Sequence, residues 1–456
     1  MSCRPGFLFW VALVAGVSCA VAAPLDAGDA PPADPAHPYK APPVAWSLAS
    51  RGDGLSKIAS VTRGGKKLDV LMANGGNTLT LVRKASIATP DAAGGAKSEE
   101  HETQRVTLQC ELLLAEYDSK TRQIERIRCA GAVTVDLVDQ SPPSGDGKPA
   151  MPTAPRQSHL AGAALEFQRV PYEETFVPEQ QSRPAEFGTW SPMKGIWTLS
   201  AAQPVWTELP DEFAGWLKAL PPGKAEPATV RTDRLTLLAP KIQFDPIGGH
   251  CTAGPDTVSG VLEAAPAMAA TAPGIAVAPA RSGWSLERRT KFSCQTLQVG
   301  FRIGPTGEIT PTGGDGVHLE GQVVMSQEPA RPGDGAAELN ADEVKVTYPA
   351  PEKIAADADP LANTWGGYET LAASPGKTDR EILLRDNELT IRGGVLSYTR
   401  KSDNGELQPL AGQKWVVNEI KTPAGSTMRL RAQGFKFHLN DRNFEAVGER
   451  MLEQVP

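Results

Sequence analysis

The sequence predicts an all-β protein, built as an elongated stack of β-repeats with Pro/Gly-rich loops and one short inserted helix. Three observations lead to this prediction: a short apolar pattern that recurs along the chain, a companion pattern centred on glycine, and clusters of Pro and Gly between strand-like stretches. A repeated unit that is too small to bury its own apolar face has to stack on its neighbours. We therefore expect function along a surface rather than in one pocket.

The recurring pattern consists of two apolar positions, a gap of two residues and two further apolar positions. Side chains alternate between the faces of a regular strand, so the second pair would lie on the face opposite to the first. A bulge or corner between the pairs would bring all four to one side. The copies of this pattern begin at Leu108, Leu160, Leu237, Phe292, Leu339 and Leu430.

The companion pattern places alternating apolar residues around a glycine, at Gly131, Gly321 and Gly448. Glycine inside a strand pattern marks a bend or a close approach of two backbones, which again predicts a corner. The two patterns together make one strand-turn-strand module. Separately, Asn74-Gly75 and Asn404-Gly405 predict hairpin turns.

One segment has helical rather than strand spacing. Between Pro210 and Leu220, the side chains of Phe213, Trp216 and Leu217 recur as on one face of a helix. We expect this helix to pack on the sheet or to plug the end of a groove, and a lipid or partner contact is the alternative. The predicted organisation is a signal peptide (1–22), a Pro/Ala-rich linker (23–44), an N-terminal β-repeat block (45–175), an aromatic-rich insertion with the helix (176–225) and a C-terminal β-repeat block (226–456).

The first residues predict secretion to the periplasm. A basic Arg4, an apolar run and the small-x-small sequence Ala20-Val21-Ala22 are typical of a cleaved signal peptide, with the cut after Ala22. Cys19 raises the alternative of a lipoprotein, but Gly16 stands where such a signal needs an aliphatic residue. Soluble secretion is the favoured interpretation.

Four cysteines follow the predicted signal peptide: Cys110, Cys129, Cys251 and Cys294. Four cysteines allow three connectivities. Pairing Cys110 with Cys129, and Cys251 with Cys294, centres each hairpin on a segment whose composition is typical of a loop, so two cross-strand disulfides are expected. No metal site is predicted, because the sequence has no CxxC and its histidines are scattered. The net charge of -7 argues against nucleic acid as a partner.

Several stretches resemble the OstA-like (organic-solvent-tolerance) repeats of the periplasmic, LptA-like lipopolysaccharide-transport proteins, which read roughly Leu-x-Ala-x-x-apolar-x-Tyr-Asp, turn, Gly-x-Val-x-Val. These stretches are LTLLAPKIQFDP, VHLEGQVVM, AAELNADEVKVTY and MRLRAQGFKFHLNDRNFEAVGE. The resemblance implies a β-jellyroll or β-taco-like fold whose interior binds acyl chains of lipopolysaccharide. It also implies stacking on other envelope β-repeat proteins and a role in outer membrane assembly. The chain departs from the family in its length, its irregular repeat spacing and its Ala/Pro-rich insertions.

The leading hypothesis is a periplasmic lipid-binding or bridging protein of the cell envelope, with lipopolysaccharide as the expected lipid. The alternatives are a structural envelope scaffold with the same fold and a filled core, and a secreted hydrolase. An enzyme is not expected, since no complete catalytic motif is present, and no cofactor is predicted. The candidates for a lipid groove are Leu237, Ile242, Phe244, Leu339, Val344, Leu430, Phe435 and Phe437.

Overall fold

The described residues form one continuous β-sheet of 25 strands and a single helix, so the all-β prediction is confirmed. The predicted signal peptide and linker lie outside the described residues. A computed structural model describes residues 45–50, 55–63, 65–90, 96–119, 124–139, 156–169, 195–221, 226–232, 235–245, 248–263, 289–303, 309–311, 314–329, 336–349, 368–376, 378, 380–386, 389–421, 426–438 and 443–455.

The strands fall into two length classes, long strands that bend in the middle and short strands that are half as long. The first eight strands are β1 (Ala45–Ser50), β2 (Leu55–Arg63), β3 (Lys66–Pro90), β4 (Ala96–Asp118), β5 (Ile124–Asp139), β6 (Arg156–Arg169), β7 (Gly195–Ser200) and β8 (Ala228–Arg231), with helix α1 (Asp211–Ala219) between β7 and β8. The next nine are β9 (Leu235–Ala239), β10 (Lys241–Asp245), β11 (His250–Ala253), β12 (Val258–Leu262), β13 (Thr290–Cys294), β14 (Thr296–Ile303), β15 (Ile309–Pro311), β16 (Gly314–Gln327) and β17 (Ala337–Tyr348). The last eight are β18 (Thr370–Ser374), β19 (Ile382–Asp386), β20 (Leu389–Gly393), β21 (Val395–Thr399), β22 (Asn404–Gln408), β23 (Val416–Lys421), β24 (Thr427–His438) and β25 (Asn443–Val455).

Hydrogen bonding arranges these strands as a stack of levels, each formed by one bent strand or by two short strands end to end. The long strand β6, for example, pairs with β7 along one half and with β8 along the other. Short strands then continue in two separate series, one from β7 and one from β8. Both series end at the long strand β16, which pairs with β14 and with β13. Each half of the stack is called an arm, and the bend between the halves is called the corner. Because β6 and β16 belong to both arms, they form a closed ring of ten strands together with the eight short strands β7 to β14.

Two inward ladders of side chains run through every level, because residues paired across antiparallel strands share one face. In arm 1 the ladder is Ile58, Leu71, Ala115, Ile127, Phe167, Trp197, Phe244, Cys251, Val299, Val317, Val346, Leu371, Tyr398, Gly405, Phe437 and Phe444. In arm 2 it is Leu48, Leu79, Leu108, Val135, Leu160, Val230, Leu237, Gly260, Phe292, Met325, Leu339, Leu384, Ile391, Asn418, Leu430 and Leu452.

The predicted corner inside each repeat is present. In the first copy, Leu108 and Cys110 face inward from arm 2, the register shifts at the corner, and Leu113 and Ala115 face inward from arm 1. The same four-position set joins the core in the copies that begin at Leu237, Phe292, Leu339 and Leu430. The two residues between the apolar pairs therefore form the corner, which explains why the pairs are separated by an odd number of positions.

Glycines form the corner where a bent strand needs a left-handed backbone. Gly131, Gly321 and Gly448 have φ of +80°, +81° and +75°, a region that costs residues with a Cβ about 1–2 kcal/mol. A Cβ on Gly131 would also lie 2.7 Å from the Cβ of Glu111 on the preceding level. The glycine thus serves two needs at once, the bend and the close approach of two levels.

Helix α1 covers the outer face of arm 1 rather than its interior. Phe213 and Trp206 are buried against outward residues of β3 to β6, which form a second apolar cluster. Arg128 is buried at the same place, where its Nε donates to Glu166 Oε1 at 3.0 Å and its Nη1 donates to the Thr207 carbonyl at 3.1 Å. The helix predicted at Pro210 to Leu220 is confirmed, as is its packing on the sheet.

Two local predictions have different outcomes. Asn74-Gly75 does not form a hairpin turn, because it lies at the corner inside β3, where the pairing with β4 shifts between Asn74 and Asn77. A hairpin is present near Asn404-Gly405, but its turn is at residues 400–403 and the two residues themselves begin β22, with Asn404 paired to Thr399. The division of the chain into two repeat blocks stays a prediction; β7, inside the expected insertion, pairs with both β6 and β10.

The two predicted disulfides are wrong, since all four cysteines are free and buried. The corner shifts the register, so Cys129 pairs with Leu113 rather than with Cys110, although the thiols of Cys110 and Cys129 remain in hydrogen-bonding contact. Cys251 pairs with Val299 in arm 1, whereas Cys294 pairs with Val258 in arm 2. Burial raises the pKa of Cys251 to about 12 and that of Cys294 to about 12.

The glycine corner can be tested by Gly131→Ala, which we expect to lower the free energy of unfolding by roughly 2–4 kcal/mol through backbone strain and overpacking. Gly65→Ala is the matched control, because Gly65 has φ of +77° but no atom within 4 Å of the position that a Cβ would take. It should cost only about 1 kcal/mol. Equal losses in urea denaturation would contradict the close-approach argument.

The free thiols can be tested by alkylation without reductant. At pH 8 in the native state, Cys251 and Cys294 should react at least roughly a thousandfold more slowly than an ordinary cysteine, because a raised pKa leaves almost no thiolate. In denaturant, peptide mapping should find all four cysteines alkylated. Peptides that remain joined until a reductant is added would show a disulfide and contradict the structure.

Candidate functional site

The predicted groove residues lie together in one apolar interior. Leu237, Leu339 and Leu430 face inward from arm 2, and the other five face inward from arm 1. All belong to or pack against the same core cluster, which extends from Ala73 to Phe437. Every candidate except Leu430, which is half-buried, is buried.

Aromatic rings pack within this interior along arm 1. The ring of Phe244 stacks on that of Phe301 with centroids 5.1 Å apart, and Phe437 stacks on Tyr398 at 6.2 Å and on Phe444 at 6.0 Å. Such contacts link successive levels and contribute beyond the area that they bury. The interior is thus filled by its own side chains along most of the described stack.

The two arms are held together differently from the levels. Levels are joined by ladders of backbone hydrogen bonds, whereas the inward faces of the arms meet through apolar side chains. Moving the arms apart at the edge opposite to the corner would disturb side-chain packing and leave the ladders intact. Separating the arms would therefore cost side-chain contacts, whereas separating two levels would cost backbone hydrogen bonds.

Both ends of the interior expose apolar side chains. Ile58 on β2 is 71% exposed and begins the inward ladder of arm 1. At the other end, Leu452 on β25 is 59% exposed and ends the inward ladder of arm 2, next to the half-buried Leu430. We call the end formed by β25 the C-terminal mouth and the end formed by β1 and β2 the N-terminal mouth.

Two polar atoms on the inward faces lack a hydrogen-bond partner. Trp197 Nε1 in arm 1 and Asn418 Oδ1 in arm 2 are both buried without one. Asn418 is 2% exposed and lies between Ile391 and Leu430 in the ladder of arm 2. Buried polar groups in folded proteins are usually paired, so these two need an explanation.

The outer surface carries a polar cluster that bears on the hydrolase alternative. Glu343 accepts hydrogen bonds from Lys345 Nζ and Ser374 Oγ at 2.9 and 2.8 Å, and His318 Nε2 lies 2.9 Å from it. The bond to Lys345, followed by that to Ser374, lowers the pKa of Glu343 to about 2. Ser374 thus bonds a carboxylate rather than an imidazole, which is not the arrangement of a nucleophile and its base.

Within the described part of the chain, no group of three or more His, Cys, Asp or Glu side chains could hold a metal ion. None of the helices described is long and apolar enough to span a membrane. Among the described residues, the cluster around Glu343 and the apolar interior are therefore the two candidates for a functional site.

Sequence reasoning missed both mouths and Asn418. Leu452 could have been found, because Gly448 and Leu452 have the same spacing as Gly321 and Met325 in the earlier companion pattern. Asn418 had no such signal, since β23 carries no copy of either pattern.

The effect of the Glu343 cluster on stability should depend on pH. A lowered pKa stabilises the fold above the ordinary value of 4.5, and this contribution disappears as the pH falls towards 2. Glu343→Gln should therefore cost up to about 1 kcal/mol at pH 7 and nothing near pH 2. Thermal unfolding of both proteins across this range is the measurement, and a difference that stays constant with pH would contradict the assignment.

Comparisons with protein-family models, with curated proteins and with solved structures find no significant match to this chain.

Proposed function

We propose that this chain is a periplasmic lipid-binding and bridging protein of the cell envelope, and that it holds acyl chains, with those of lipopolysaccharide as the expected case, between its two arms. The observation that carries the proposal is the continuity of the apolar inward face. Both ladders run from one end of the stack to the other and are apolar almost throughout, and each mouth exposes an apolar side chain.

The exposed mouths favour a lipid path over a plain structural core. A protein whose interior serves only for stability gains nothing by exposing Ile58 and Leu452 to water at its two ends. The strands at these ends also have free edges in the described structure, since β25 pairs only with β24 and β1 and β2 pair only with β3. Other β-repeat proteins of the envelope could add strands there and extend the interior.

The energetics allow an acyl chain to enter between the arms. Each buried methylene contributes about 0.8 kcal/mol, so a chain that buries about ten methylenes gains about 8 kcal/mol. The opposing cost is the loss of side-chain contacts such as the stacking of Phe244 on Phe301. The backbone ladders do not have to break, because the displacement is across the interior.

The second candidate function is a structural scaffold, and the burial of the groove candidates favours it. Phe244 is 1% exposed and Val344 is fully buried, so these positions are occupied by packing against the protein's own side chains. A scaffold would keep this packing permanently and use only its strand edges to bind partners. The two functions therefore differ in whether the inward face ever contacts a lipid.

Two neighbouring residues of β25 give a matched test. Leu452 and Met451 are 59% and 48% exposed, but Leu452 faces the interior and Met451, paired with Arg431, faces outward. We expect Leu452→Glu to weaken the binding of a fluorescent fatty acid at least about tenfold, because it would place a charged carboxylate next to the acyl chain at the C-terminal mouth. Met451→Glu should leave binding unchanged.

Circular dichroism and thermal unfolding should show both variants folded, since neither side chain is buried. Equal effects of the two substitutions would indicate a general charge effect. Absence of fatty-acid binding to the unsubstituted protein would contradict the lipid-binding proposal and leave the scaffold.

A further inference from the structure

We propose that the C-terminal mouth is a selective subsite for an acyl chain that carries a hydroxyl group, and that Asn418 Oδ1 accepts the hydrogen bond from this hydroxyl. The inference rests on the proposed function and names the lipid class that this end of the interior favours. Three observations on the described residues carry it: the position of Asn418, its surroundings and its unsatisfied oxygen.

The position of Asn418 is fixed by its strand pairing. It lies opposite Ile391 on β20 and opposite Leu430 on β24, and both of these residues contribute to the apolar interior. Burial alternates along β23, where Val416 and Asn418 are buried and the intervening residue is not. Asn418 therefore faces inward, two levels or about 10 Å from the edge of β25.

The residues next to Asn418 on the inward face of the sheet are apolar. Its inward neighbours along β23 are Val416 and Ile420, and its neighbours across the sheet are Ile391 and Leu430. In the arm 2 ladder, every other side chain is apolar and the remaining position is a glycine. One polar side chain in such a series is a local feature and not part of a polar network.

The unsatisfied oxygen defines the chemistry of the ligand. Asn418 Oδ1 is buried and accepts no hydrogen bond, which lowers stability compared with an apolar residue of similar size. A saturated acyl chain could not repair this deficit, because it has no donor. An acyl chain with a hydroxyl group provides a donor and still buries its methylenes against the neighbouring leucines and isoleucines.

The mouth provides a route to this oxygen. Exposure along the ladder rises from 1% at Ile391 and 2% at Asn418, through the half-buried Leu430, to 59% at Leu452. A chain that enters over Leu452 and Leu430 would reach Asn418 next. The subsite is thus the first polar point that a lipid meets on its way into the interior.

The test compares fatty acids of one chain length by isothermal titration or by displacement of a fluorescent probe from the whole protein. The probes are tetradecanoic acid, a set of hydroxytetradecanoic acids that differ in the hydroxyl position, and their methyl ethers, which keep the oxygen but lack the donor. At least one hydroxylated isomer should bind about 3- to 10-fold more tightly than both the saturated acid and its methyl ether, as one net hydrogen bond allows.

In Asn418→Leu, this advantage should disappear while the saturated acid binds at least as well as before. The variant should also unfold at a higher temperature, because an unsatisfied polar group has been removed. A purely structural role for Asn418 would instead lower the unfolding temperature and leave the preference between the lipids unchanged.

Other outcomes overturn the inference without ambiguity. If no hydroxylated isomer is preferred, or if the preference survives in Asn418→Leu, the subsite assignment is wrong and the lipid-binding proposal stands. If even the saturated acid fails to bind, the proposed function itself fails.

Discussion

The corner in the middle of the long strands determines which side chains face the interior and how the levels pair. A straight strand would place the second apolar pair of each repeat on the opposite face and leave half of the apolar side chains in water. The bend instead directs both pairs inward. Some bent strands have a left-handed glycine there, as at Gly131, and some levels are interrupted at this point, as at Pro240 between β9 and β10. Because the bends and the breaks align from level to level, the levels can pair along both arms and enclose one interior.

This arrangement separates the forces that hold the protein together. Backbone hydrogen bonds act along the stack, while apolar contacts act across it. Separation of the arms would cost packing contacts but no ladder hydrogen bonds, as the proposed entry of an acyl chain requires. The same separation explains why the interior can be packed by its own side chains and still be the binding surface that we propose.

The repeat pattern is sufficient to predict the fold class, the corners and the inward positions, since these depend on short-range periodicity. Phe244 and Phe437, for example, are inward and buried as the pattern indicates.

Predictions that depend on the pairing register are less successful. The predicted cysteine pairs assume straight hairpins, and the corner shifts the register by enough to separate Cys129 from the position opposite Cys110. Asn74-Gly75 has the composition of a hairpin turn because a corner uses the same residue types. The location of the mouths could not be predicted, because it depends on which levels come first and last in the stack. The inward position of Asn418 could not be predicted either, because β23 lies outside the repeat pattern.

Contact between lipid and the inward face of the stack in the cell, which we propose, can be tested by photo-crosslinking. A photoreactive phenylalanine analogue at Phe244, which faces inward, would be compared with the same analogue at the neighbouring Gln243, which pairs with Thr198 and Thr252 on the outward face. After irradiation of intact cells, we predict a lipid adduct, detected by mass spectrometry, at position 244 and none at 243. Adducts with proteins alone, or equal lipid adducts at both positions, would contradict the account.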